Sequence, residues 1–138
     1  MYWPLRNSST APRKRALRRG WLIDMQRKPF LRFNQFAELK FPVAMSQAAF
    51  REFIRLSNTP HHRAMSEDFR WISLIHSLGD VDLGEDFHDA VWEHAVIEPD
   101  GFLRSKRIKL VSAADDLGDE ALTFMLPEES LATILRLP

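Results

Sequence analysis

Two runs near the C-terminus, residues 102–113 and 121–126, alternate in the way strands do. Ile108 and Leu110 fall on one face of the first run, and Leu122, Phe124 and Leu126 fall on one face of the second. Successive strand side chains point to opposite faces, so a period of two marks a half-buried strand. Asp115-Asp116-Leu117-Gly118-Asp119 separates the runs with turn-forming residues, and Pro127 stops the second. The pattern predicts an antiparallel hairpin. A two-stranded hairpin is marginal alone, so its apolar face requires a cover from elsewhere in the chain.

Periodic segments upstream supply that cover. Ser46 is a good N-cap for a helix to about residue 57, with Ala49, Phe50, Phe53, Ile54 and Leu56 on its inner face. After a loop over 58–62, Ser66 caps a second helix. Glu67 and Asp68 occupy its first turn, where the helix dipole favours acids, Trp71, Leu74, Ile75 and Leu78 form its stripe, and Gly79 ends it. The spacing of Phe87, Ala90, Val91 and Ala95 predicts a third helix over 85–97, and Glu98-Pro99-Asp100-Gly101 reads as a turn. Near the start, Pro12 and Gly20 bracket a short helix over 12–19, and the apolar run 21–25 reads as a strand. Phe30, Phe33, Phe36 and Leu39 recur every three residues, and 128–137 predicts a short final helix.

The expected fold is therefore α+β. About three helices in the middle pack on a small, mainly antiparallel sheet that ends in the β-hairpin. Residues 1–11 read as a flexible leader and 12–138 as a single domain whose segment 12–40 is basic. At 138 residues with 45% hydrophobic side chains, ten Phe and four Trp, the core needs no metal or disulfide. Zero cysteines exclude disulfides, thiolate zinc sites and a cysteine nucleophile. No apolar run approaches the ~18 residues of a membrane span. A cytoplasmic protein without a membrane partner is the expectation.

Charge is segregated. Residues 1–40 hold ten of the 19 Lys and Arg but two of the 19 acids, a net of +8, while the remainder carries −8. A molecule of this kind presents a basic arm to a polyanion, or folds the arm onto its own acidic body.

Several fragments also occur in a recognisable order. They are Ala16-Leu17, Gly20-Trp21-Leu22-Ile23-Asp24, Phe41-Pro42-Val43-Ala44-Met45 and Asp89-Ala90-Val91-Trp92. Lys109-Leu110 and Leu122-Thr123-Phe124-Met125-Leu126-Pro127-Glu128-Glu129 follow. Over about residues 14–130 the chain resembles an uncharacterised bacterial family, a domain of unknown function met mainly on plasmids, phages and other mobile elements. The resemblance implies a bacterial accessory protein in which residues 16–24 belong to the framework. It brings no activity. The Arg density before Ala16 and between Arg27 and Arg32 departs from the family, so any role of the arm is local to this protein.

Candidate sites follow the charges. Arg13, Lys14, Arg15, Arg18 and Arg19, with Arg27, Lys28 and Arg32, could neutralise several phosphates or an acidic partner. No helix-turn-helix, zinc-finger or ribonucleoprotein motif accompanies them, so base reading is not supported. Glu85, Asp89 and Glu93 recur every four residues as an acidic ridge of the third helix, a docking strip for a basic protein or for the arm itself, and Trp92 beside them would anchor an interface. Asp80-Val81-Asp82-Leu83-Gly84 misses calcium-loop spacing, with Gly one place early and Val91 where Glu is required. His88 and His94 are six apart, on different helix faces, and His61-His62 reads as an exposed loop pair. No phosphate-cradling glycine loop or nucleophile elbow is present. The sequence therefore predicts a non-enzymatic protein with no cofactor and no metal. A host or element-encoded protein is its favoured partner, and sequence-nonspecific binding of nucleic acid is the alternative.

Overall fold

In the computed structural model, which describes residues 11–30, 41–78 and 88–137, the C-terminal hairpin forms the middle of the sheet. The order of elements begins with α1 (Pro12–Arg19), β1 (Leu22–Asp24), β2 (Val43–Ser46), α2 (Gln47–Phe53) and α3 (Pro60–Arg63). It continues with α4 (Glu67–Leu78), β3 (Asp89–Ile97), β4 (Leu103–Ala114), β5 (Glu120–Met125) and α5 (Leu131–Ile134). β4 and β5 pair antiparallel with Leu110 opposite Phe124 and Ser112 opposite Leu122. The loop between them closes on Asp115, whose Oδ1 accepts from the amides of Leu117 and Asp119 at 2.9 Å, and Gly118 takes the φ of +88° that the turn requires.

The predicted third helix is a strand. Residues 89–97 pair antiparallel with β4 from Asp89↔Val111 to Ile97↔Leu103. Val91, Ala95 and Ile97 stand on the outward face, so apolar residues occupy both faces and mask the period of two. A second strand, β2, lies between Pro42 and the helix cap Ser46. It joins β5 in parallel, with Met45 opposite Phe124, and β1 antiparallel. The sheet, in the order β1-β2-β5-β4-β3, is thus mixed and not the mainly antiparallel one expected.

α2 and α4 cover one face of the sheet. Ser46 caps α2 as expected, its Oγ accepting from the Ala49 amide, but the helix stops at Phe53. Trp71 of α4 meets Phe124 of β5 edge-on with ring centres 5.2 Å apart, and Trp92 meets the same ring from β3 at 6.1 Å. Phe30 closes this core against Phe50 and Trp71. On the opposite face α1 and α5 cover β1 and β2 through Ala16, Leu22, Ala44 and Leu135. The outward face of β3 and β4 has no helix over it among the described residues. The positions 33, 36 and 39 of the three-residue repeat, Gly79 and the acidic run 80–86 lie outside the described residues.

Candidate strand-docking edge

Helix α1 of the basic segment is held, not free. α1 begins with Pro12 and ends at Gly20 in the left-handed conformation, φ +78°. Asp116, in the β4–β5 loop, accepts from the amides of Arg13 and Lys14 at 2.9 Å each, so a distant carboxylate caps the helix. The Arg13 side chain is buried, and its guanidinium donates to Thr123 Oγ1 (2.9 Å) and to the Leu122 carbonyl (3.1 Å). Burial lowers its pKa, against the opposing pull of Asp115, Asp116 and Asp24. Arg15 donates to the carbonyl of Leu135, the residue that ends α5. The acid that holds α1 is therefore Asp116 of the hairpin loop, and neither Asp89 nor Glu93 bonds α1.

What remains outward at the basic pole is Lys14, Arg18, Arg19, Arg27 and Lys28. The guanidinium carbons of Arg136 and Arg19 lie over the Trp21 ring, 4.6 and 6.0 Å from its centre. Arg32 lies outside the described residues.

At the other pole, the strand conformation of 89–97 redistributes the predicted site. Asp89 and Glu93 are exposed and share the outward face of β3, whereas Glu85 lies outside the described residues. Trp92 points the other way, into the core, and its Nε1 donates to Ser77 Oγ of α4 at 2.9 Å. It is therefore not an exposed anchor. His94 is half-buried on that same inner face, its ring 6.2 Å from that of Phe53, and desolvation followed by the charge of Arg70 lowers its pKa. His62, expected in an exposed loop, is buried in α3. Its Nδ1 accepts from the Ser57 amide, so Nε2 carries the proton and donates to the Ile97 carbonyl at 2.8 Å. Beside it, a Cβ at Gly101 (φ +90°) would stand 2.7 Å from His61 Nδ1, which seats the β3–β4 turn against α3.

The hydrogen-bond phase of β3 decides what its free side offers. The Ser112 amide donates to the His88 carbonyl and the Glu98 amide to the Phe102 carbonyl, so even-numbered residues bond inward to β4. Residues 89, 91, 93 and 95 then aim their N–H and C=O groups at the open edge, and no described residue bonds them there. Ile97 would continue the row, but His62 holds its carbonyl. α4 lies along the inner side of this edge, and between them is a cleft of about 140 Å3 lined by Phe53, Met65, Phe69, His94, Ile97 and Leu103. Phe69 and Leu103 are 61% and 67% exposed. Arg70 also reaches the cleft, donating to the Arg55 carbonyl, and burial lowers its pKa against the opposing pull of Glu98 and Glu67. Sequence reasoning missed this site because it read β3 as a helix. The signal available was the β-branched and aromatic content of 91–97 just before a Pro-Asp-Gly turn.

No family model, no curated protein and no solved structure matches the chain. Among the described residues no group of three or more His, Asp or Glu could hold a metal, and no helix is long and apolar enough to cross a membrane.

Proposed function

We propose that this is a non-enzymatic binding protein whose partner is another protein, received at the open half of the sheet. The supporting observation is the row of outward peptide groups at residues 89, 91, 93 and 95, set beside an apolar cleft and flanked by two exposed acids. A sheet edge with these properties is the template on which proteins add a partner strand. Nucleic acid is the weaker reading, because Arg13 and Arg15 are engaged in holding α1 and α5 in place. The resemblance to the mobile-element family adds a bacterial, accessory and cytoplasmic setting to the proposal, without an activity.

A photo-crosslinking residue placed at Glu93 or at Arg18, in the cell the protein comes from, separates the two. The proposal expects a discrete adduct at position 93 that protease removes and nuclease does not. A nuclease-sensitive adduct at position 18, with none at 93, contradicts it.

A further inference from the structure

Resting on that reading, we infer that the occupant of the edge is an extended basic segment of the partner, added antiparallel to β3, with one large apolar side chain seated in the cleft beside α4. The phase of β3 dictates the pattern. A strand added at this edge bonds the outward groups of Val91, Glu93 and Ala95, and its residues opposite them place side chains on the outer face of the sheet. Asp89 and Glu93 stand on that face, so residues opposite them are favoured as Lys or Arg, and opposite-charge pairs across strands stabilise. Between the two, Val91 is 39% exposed and favours an apolar neighbour. The added residue opposite His94 points to the inner face, where the cleft lies. Its volume of about 140 Å3 is close to that of an apolar cavity that takes one benzene-sized group, hence a phenyl or branched aliphatic side chain.

A second copy of the chain fits less well. Two-fold antiparallel pairing centred on Val91 sets Asp89 against Glu93 twice, centring on Glu93 sets that acid against itself, and centring on Trp92 sets the two Glu93 side chains diagonally beside each other with no cation opposite either acid. Centring on His94 or Ala95 requires the Ile97 carbonyl that His62 already holds.

The probe is the capped heptapeptide acetyl-Val-Phe-Lys-Thr-Val-Thr-Lys-amide, in which Phe faces His94 and the lysines face Glu93 and Asp89. Residue-resolved NMR titration of the full chain is the readout, with sedimentation to fix the oligomeric state. Expected are shifts of the Val91, Glu93 and Ala95 amides. Binding should weaken about tenfold or more when both lysines become glutamate, or when Phe becomes alanine or glutamate. N-methylation of the peptide residues that pair with Val91 and Glu93 should abolish it. Ala95→Pro removes an outward donor and no ladder bond, so it should lose the peptide and keep its melting temperature. If that variant melts lower, the methylated peptide on the unsubstituted chain decides. Equal affinity for methylated and unmethylated peptides, shifts confined to α1, or dimerisation through β3 overturns the inference. Absence of peptide binding together with a protein adduct at position 93 removes strand addition and leaves the protein-binding proposal standing. Absence of both removes the two together.

Discussion

The two halves of the sheet obey different rules. β2 and β5 are buried at every position except Glu120, because α2 and α4 press on one side while α1 and α5 shield the other. β3 alternates, its outer residues exposed and its inner ones half-buried or, at Val96, buried, because its outer side faces solvent. A strand covered on both faces has its sequence set by packing alone, and its apolar content is core. A strand covered on one face, lying at an edge, must be explained residue by residue, and that is where exposed Val91, Ile97 and Leu103 acquire meaning.

The largest expected effect tests whether that contrast is energetic. Phe124, fully buried between Trp71 and Trp92, should lose about 3–5 kcal/mol on replacement by alanine. Val91→Ala, on the open side, should change stability by less than about 0.5 kcal/mol. Urea denaturation of both variants measures this, and comparable losses would erase the distinction between the halves.

A second pair of variants sharpens it at the basic pole. Arg13→Met removes two donors from the shielded half and leaves the buried Thr123 hydroxyl without its donor, which should cost about 1–3 kcal/mol. Replacing exposed Arg18 and Arg19 together with alanine should change stability by less than about 1 kcal/mol. Equal melting temperatures for all three proteins would mean that α1 is an unanchored arm after all.

The third effect is smaller and depends on pH. His94 faces Phe53 and Arg70 from the helices and lies opposite Lys106, itself paired with Glu52 and Glu98. Its pKa is lowered from 6.5 by desolvation and by Arg70, so the unfolded chain binds the proton more readily. The stability it contributes is complete above 6.5 and falls away as pH drops below that value toward and through the lowered one. His94→Gln should flatten that part of the stability profile, as followed by urea melts between pH 5 and pH 8. An unchanged slope would place His94 in solvent.

Legibility in the sequence followed locality. α1 between Pro12 and Gly20, α2 behind Ser46, α4 behind Ser66 and the β4–β5 hairpin each carry their signal within a dozen residues, in caps, turns and periodicity. β2 does not. It is four residues long, and its parallel pairing with β5 depends on residues almost eighty positions away. β3 was misread for a different reason. Phe87, Ala90, Val91 and Ala95 satisfy a helical stripe, whereas the inner row Ala90, Trp92, His94 and Val96 has a polar member and an outer row almost as apolar as itself. The candidate site was half legible. Asp89 and Glu93 were singled out by charge and do share a face, since a spacing of four suits a strand as well as a helix. The cleft and the partners of the basic arm were not legible, because Arg13 meets Asp116 and Thr123 more than a hundred residues away.

Amide exchange along β3, resolved residue by residue, addresses the open edge itself. The amides of Ala90, Trp92, His94 and Val96, bonded to β4, should exchange slowly, and those of Val91, Glu93 and Ala95, aimed outward, should exchange quickly, giving protection that alternates with a period of two. Uniform slow exchange across 90–96 in the isolated monomer would mean that the edge is already paired, and would contradict the docking site.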